Sequence, residues 1–470
     1  MIDTFAIRCN VLKLAFSGQL SQHEVEDGAI DDLLKRVNPN REIKQSEAGP
    51  YEIPENWAWV KLEDLYEINP KVEADDDTDA AFIPMERISA GFSDSFTFEV
   101  QKWSAASKNH TRFADGDVAF AKISPCFENR KSFIATGLPN GIGGGTTELI
   151  ILRQKEMLSR FTYYVTLDQR FIHEGVASYK GTVGQQRVKS DVIKNYMVAV
   201  PPKEEQQRII EKIESIFSAL DTIDTLQGQY QDNLATLKSK IIDAGIQGKL
   251  TEQLPEDGNA EELYQQIQRE KLALEKAGKI KKSKPLPPIS DEEKPFDIPD
   301  NWKWVRLADV YEINPKVNAD DNINAAFIPM ERISAGFDRS FSYVVQKWSE
   351  ASKNHTRFCD GDVAFAKISP CFENRKSFVV ENLPNSLGGG TTELIILRQK
   401  LIDPLFTYYL ILDERFIRLG LSTYKGTVGQ QRIKNDVMFA YVFPLPPLAE
   451  QKRIVAKLEE LLPLCEKGQS

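Results

Sequence analysis

AFIPMERISAGFSDSFTFEVQKWSAASKNHTRFADGDVAFAKISPCFENRKSF occupies residues 81–133, and residues 326–378 repeat it with seven changes in 53 positions. The retained residues include polar runs, KNHTRF and SPCFENRKSF, which core packing alone does not hold constant. An offset of 245 holds from Trp57/Trp302 and Glu86/Glu331 through Tyr179/Tyr424 to Gln206/Gln451. The repeat is therefore a whole domain and not a short solenoid motif. Two copies imply two equivalent binding events.

A chain of 470 residues exceeds one core and points to two to four domains. Its 41% hydrophobic and 27% charged residues fit a folded, soluble, cytoplasmic protein. It has no apolar run of bilayer length and no signal-peptide start. The five cysteines form neither CxxC pairs nor a disulfide framework, and Cys359 stands where the first copy has Ala114. A net charge of -10 weighs against nucleic-acid binding only for the surface as a whole, so a basic patch has to be sought inside the repeat.

Each repeat opens on a Pro-Trp turn, IPENWAWVKLEDLYEINP at 53–70 and IPDNWKWVRLADVYEINP at 298–315. Alternation marks strands at 117–123 and 148–152, and 158–171 reads as one helix. The predicted fold class is mixed α/β: two strand-rich α/β domains separated by an antiparallel coiled coil of long helices, with a pseudo-two-fold. The segments are an N-terminal helical part at 1–40, a recognition domain at 50–200, a long coiled-coil region at 201–278, a Lys/Pro-rich linker at 279–297, a second recognition domain at 298–445 and a C-terminal helix at 446–470.

After the first domain, apolar residues fall in an alternating four-three spacing at Ile209, Ile213, Ile216, Leu220 and Ile223, then Tyr230, Leu234, Leu237 and Ile241. That is a coiled-coil seam, with Gln227 as a polar residue of the kind that sets register. It runs about 50 Å, longer than one DNA turn of about 34 Å. The second copy resumes the seam at Ile454, Leu458 and Leu461, then stops short. The missing part stands at the other end: LAFSGQL at 14–20 matches AGIQGKL at 244–250, and Glu26-Asp27-Gly28 matches Glu256-Asp257-Gly258, at an offset of 230. The organisation is circular, and the two chain ends together are expected to make a second rod packed on 203–245.

Residues 101–133 carry six Lys/Arg against three acids. Candidate DNA contacts are Arg87, Lys108, His110, Arg112, Lys122, Arg130 and Lys131, repeated as Arg332, Lys353, His355, Arg357, Lys367, Arg375 and Lys376. Among them lie Asn109, Thr111, Ser124 and Asn129, suited to phosphate and base-edge hydrogen bonds. SYKGTVGQQRVK at 178–189 adds Lys180, Gln185, Gln186 and Arg187, with partners Lys425, Gln430, Gln431 and Arg432. Its glycines permit close approach to a phosphate, or simply a tight turn. The basic run KIKKSK reads as a solvated linker.

Other chemistries find little support. GIGGGTTELIILR precedes a strand and opens no helix, so it reads as a turn or bulge and not as a nucleotide loop. SPCF at 124–127 faintly resembles the catalytic tetrapeptide of amino-methyltransferases, without a cofactor-binding glycine motif. There is no metal spacing and no Ser/His/Asp set. Asp115 and Asp117 in DGDVAF read as a turn before a strand.

Together, the Trp-containing openings, the paired modules, the PPKEEQQRII and PPLAEQKRIV segments and the AGIQGKL segment resemble the DNA specificity subunit of a type I restriction-modification system. The resemblance covers essentially the whole chain. It implies a non-catalytic subunit that binds double-stranded DNA, reads each half of a split site with one module, and docks two modification (methyltransferase) subunits. Restriction (translocase/nuclease) subunits then join. No cofactor is expected on this chain; S-adenosylmethionine, ATP and Mg belong to the partner subunits. Two other classes stay open on the residues alone, a self-contained adenine-specific DNA methyltransferase and a coiled-coil protein scaffold. Near-identical modules imply a palindromic target, with changes such as Ser93/Asp338 and Asp94/Arg339 expected in a solvated loop away from DNA.

Overall fold

The computed structural model describes residues 1–24, 27–28, 30–37, 49–181, 185–280, 286–427 and 429–465. Most of the KIKKSK run, at 281–284, lies outside the described residues. The chain divides into two compact units, Met1–Gln227 and Gly228–Ser470, and the division falls inside one unbroken helix.

In the first unit, α1 (Thr4–Phe16) and α2 (Ile30–Val37) precede β1 (Ala58–Lys61), α3 (Leu62–Leu65), β2 (Tyr66–Ile68), β3 (Asp79–Ile83), β4 (Glu99–Lys102) and α4 (Trp103–Ala106). There follow β5 (Thr111–Ala114), β6 (Val118–Ala121), β7 (Ser132–Ile134), β8 (Ile142–Gly145), β9 (Leu149–Gln154), α5 (Ser159–Leu167), α6 (Gln169–Ala177), α7 (Ser190–Asn195) and β10 (Met197–Val200). The helix α8 (Lys203–Ile246) then runs for 44 residues, and α9 (Ala260–Lys276) leads to the second module. That module repeats the same order of strands from Lys303–Arg306 to Val442–Leu445, and the helix Leu448–Leu461 follows it.

Each module stacks three layers. One four-stranded sheet has the order β2-β9-β6-β7, the other β4-β3-β8-β5, with β3 and β8 parallel. Alternation along the strands sends Ala119, Phe133, Leu149 and Ile151 to meet Ala81, Ile83 and Phe113 of the second sheet. The opposite face of the first sheet, Val118, Phe120, Ile150 and Leu152, packs on the helical layer. Trp103 and Ala106 of α4, with Val72, cover the far side of the second sheet. Ile142–Gly145 of the GIGGG segment is a strand, which corrects the expected turn or bulge there, while Gly141 ends the turn before it. A Cβ on Gly144 would stand 1.8 Å from the Ala106 carbonyl oxygen, so glycine is what lets α4 lie against the sheet.

The helical layer bears out the circular plan inside each unit. In the first, Leu12, Ala15 and Phe16 of α1 pack with Ile209, Ile213 and Leu220 of α8. The two helices run antiparallel, because Ile2 meets Gln227, Arg8 meets Asp221 and Asp224, and Ser21 meets Glu205. In the second, the same layer is Ile242 and Ile246 from the far end of α8 against Ile454 and Leu458. Leu12 and Phe16 correspond to Ile242 and Ile246 at the offset of 230, Ile209 and Ile213 to Ile454 and Leu458 at 245. Thus α8 closes the first unit with its first half and opens the second with its last turns.

The seam needs one correction. Ile216 and Ile223 pack at the edge of the first core, and Ile241 and Leu461 are half-buried, but Leu237 is 46% exposed and Leu234 only half-buried. The buried stripe of this end is displaced to Ile242 and Ile246, because that is the face the second unit covers. Leu226 and Tyr230 are exposed as well, so the four-three repeat outruns the packing in the middle of the helix. Gln227 does have a register role: its side chain bonds the Ile2 N–H at 2.6 Å and the Ile2 carbonyl at 3.2 Å. The single helix expected at 158–171 is two, broken at Asp168, whose counterpart Asp413 accepts the Arg415 N–H as an N-cap.

The PP-x-x-EQ-x-R segments prove to be staples. Glu205 is fully buried and accepts from Ser21, His23, Asn56 and the Trp57 indole. Gln206 takes the Leu158 N–H at the start of α5, and Arg208 pairs with buried Asp27. Glu450, Gln451 and Arg453 repeat this with Thr251, Gln253 and Trp302, the Asp403 N–H, and Asp257. Three polar side chains within one turn of helix thereby join the module, its helix and the segment after the entering helix.

Candidate nucleic-acid interface

Strand direction decides which candidates meet. In β3 and β8, parallel neighbours, Ile83 lies beside Gly145, and antiparallel β5 sets Thr111 opposite Gly145. The loops after β3 and β8 and before β5 therefore leave from one end, bringing Arg87, Lys108 and His110 together. In the other sheet Ala121 pairs with Leu149, and its N–H bonds the Lys131 carbonyl, so Lys122 and Lys131 emerge at the same end. The 178–188 hairpin is tied there by bridges from Arg187 to Ile123 and Lys180 and by the Ser124 N–H to the Gln186 carbonyl at 2.8 Å. This carries Lys180, Gln185, Gln186 and Arg187 to the cluster; residues 182–184 of the hairpin lie outside the described residues. The second module assembles Arg332, Lys353, His355, Lys367, Lys376, Lys425, Gln430, Gln431 and Arg432 in the same way, with residue 428 outside the description.

Within the cluster, Lys108 and Lys180 are exposed, Lys122 is half-buried, and Lys131 donates to the Met85 carbonyl at 2.8 Å. His110 stacks on Phe82 with ring centres 4.7 Å apart, and His355 does so on Phe327 at 4.6 Å. Arg187 holds Glu148 at 2.7 Å, and this bond keeps the carboxyl below its ordinary range and raises the guanidinium. Glu393 and Arg432 repeat the pair. These two glutamates are the site residues that sequence reasoning missed; their signal was an acid retained beside the glycines in GGGTTE.

Two candidate pairs stand apart. Arg112 and Arg357 lie on the outer sheet face, over Trp103 and Trp348, and donate to the Ser107 and Ser352 carbonyls. Arg130 is buried: it donates to the Leu167 carbonyl at 3.0 Å and to Gln169, and lies over Phe5 and Phe92. Arg375, half-buried, pairs with Glu414 at 2.5 Å and lies over Phe337. Both point into the helical layer, away from the loop end.

The 91–95 loop is no free solvated loop. Asp94 pairs with Arg160, which also reaches Glu214 of α8 at 3.2 Å. In the second module Arg339 replaces Asp94, Leu405 stands at the place of Arg160, and Arg339 meets Glu459 at 2.6 Å. The charge is reversed and the tie between loop and helix is kept. Among the described residues no helix is long and apolar enough to cross a membrane, and no cluster of metal-ligating side chains is present.

Two strand-rich modules, each offering one loop cluster and each stapled to a helix by a buried Glu-Gln pair, define a class of paired recognition domains. The type I restriction modification DNA specificity domain matches residues 54–229 and 299–468, and the chain belongs to that family. It is 30% identical to the type I restriction enzyme EcoAI specificity subunit of Escherichia coli over 549 residues, 99% of this chain and 90% of the relative. It is 28% identical to the EcoEI specificity subunit of the same organism, over 100% of this chain and 91% of the relative. In fold it is similar to a chain of a solved structure described as the structural basis of complex assembly and conformational transition of the type I R-M system. That likeness has a TM-score of 0.60 at 18% identity and covers 89% of this chain and 93% of the other.

Proposed function

We propose that this chain is the non-catalytic specificity subunit of a type I restriction-modification complex, in which each module lays its loop end on half of a bipartite DNA target. The observation that carries the reading is the same loop cluster built twice, with its basic and glutamine side chains retained, in a chain of the specificity family. Lys108, Lys122, Lys131 and Lys180, with their partners, serve the phosphates, and Gln185, Gln186, Gln430 and Gln431 are placed for base edges. Arg112 and Arg357 flank this face, whereas Arg130 and Arg375 hold the module to its helices.

Near-identical modules read the same short sequence, so the target is an interrupted palindrome. The helices dock two modification subunits, which carry S-adenosylmethionine and methylate adenine, and restriction subunits bring ATP- and Mg-dependent activity. Methylation mapping with the assembled complex tests this: two copies of one half-site in opposite sense are expected, and two unrelated half-sites defeat the palindrome. S-adenosylmethionine binding by the isolated chain would defeat the non-catalytic reading.

A further inference from the structure

We infer that Glu99 is an electrostatic cap that weakens the grip of the first module on the DNA backbone, and that the second module lacks this cap. The inference rests on the reading above, that the loop end faces DNA. In β4, Glu99 lies opposite Phe82, next to the end of β3 from which Arg87 emerges. The Arg87 guanidinium donates to the Glu99 carboxylate at 2.7 Å. The second module keeps the arginine as Arg332 but has Val344 in place of Glu99. Arg332 is exposed, donates to the Tyr343 carbonyl at 3.4 Å and, among the described residues, pairs with no carboxylate.

The neighbouring basic groups of the loop end are matched. Lys131 and Lys376 donate to the Met85 and Met330 carbonyls at 2.8 and 2.9 Å, and Arg187 and Arg432 hold Glu148 and Glu393. Of the seven changes in the repeat, Glu99/Val344 is the one that takes a carboxylate from a retained arginine. To a phosphate, the Arg87–Glu99 pair presents no net charge, while Arg332 presents one. Each phosphate neutralised by a free cation steepens the fall of log K with log salt by about 0.9. The two modules thus meet the DNA backbone with unequal affinity, the second holding it more tightly.

The test uses the full-length chain assembled with its modification subunits, on a duplex carrying the mapped target with both half-sites intact, so that both modules are engaged at once. Arg332→Ala is expected to flatten the salt slope by about one unit, about threefold in affinity between about 50 and 200 mM salt. The double variant Arg87→Ala/Glu99→Val, which removes a pair without net charge, should leave the slope nearly unchanged. Glu99→Val should steepen the slope by about one unit, and Val344→Glu should flatten it. Equal flattening by Arg332→Ala and by the double variant, with Glu99→Val silent, would overturn the cap and leave the DNA-facing reading intact. If Arg332→Ala and Lys367→Ala are both silent, the loop end does not face DNA and that reading falls too.

Discussion

The first unit receives its entering helix as a separate piece, α1, and the second takes it from the last turns of α8, yet both bury the equivalent residues in equivalent places. Leu12 and Phe16 sit where Ile242 and Ile246 sit, and Arg8 lies over Phe92 as Lys238 lies over Phe337, at 5.9 and 5.7 Å. The pattern of buried positions, and not the covalent route that delivers them, decides how a helix packs here. The same lesson holds at the loop clamp, where Asp94–Arg160–Glu214 and Arg339–Glu459 secure one contact with opposite charge on the loop.

The sharpest way to break the equivalence is at the staples. Glu205→Ala leaves four partners without their acceptor, the buried Trp57 indole among them, and Glu450→Ala leaves three, the buried Trp302 indole among them. Each should cost about 3 to 5 kcal/mol. Calorimetry of the whole chain should show Glu205→Ala lowering one transition and Glu450→Ala the other; a common shift in both would mean that the units do not melt separately. Core truncation comes next. Leu12→Ala and Ile242→Ala should each cost about 3 kcal/mol. Hydrogen exchange should then tell them apart, because α1 can leave its site whole while the end of α8 remains in a continuous helix. Equal exchange in both segments would show that connectivity contributes nothing.

The clamp predicts a smaller effect with a definite sign. Asp94→Arg sets two arginines against each other, and adding Arg160→Leu should restore the stability through Glu214. The pairs are more than a third exposed, so a coupling of about 0.5 to 1 kcal/mol is expected from a double-mutant cycle. Zero coupling would make the reversal incidental. Smallest is the acid response. Hydrogen bonds from Arg208 and Arg453 hold Asp27 and Asp257 below the ordinary carboxylate range. Their contribution is complete above the unfolded carboxylate pKa, about 3.9, and is lost as pH falls through the lower folded values. Both units should weaken together below about pH 4, and Asp27→Asn should remove that response from the first unit alone.

Much of this was legible in the residues. The two offsets, 245 and 230, give the duplicated module and its circular closure, and both appear as matched packing. Periodicity correctly placed Ile209, Ile213, Ile454 and Leu458, all fully buried. It failed at Leu237, because a four-three repeat states which residues share a face and not whether anything covers that face. GIGGG was misread for a related reason: a run of glycines looks like a turn until the carbonyl of Ala106, 38 residues earlier, is known to lie over it. Arg130 and Lys131 are neighbours of like charge in sequence, and only the fold turns one inward beneath Phe5 and the other outward to the loop end.

The closure of each unit by a late helix also sets an order for biosynthesis. Domains fold as units, N-terminal ones first, while the chain is being made. The first core is complete in sequence at Leu220 and can shut while the second module is still being translated. Ile242 and Ile246 must wait for Ile454 and Leu458, more than 200 residues further on, so their apolar face stays uncovered through most of the chain's synthesis. A nascent chain stalled within the second module would present that face, together with the first unit already able to fold, to any chaperone or protease at the ribosome.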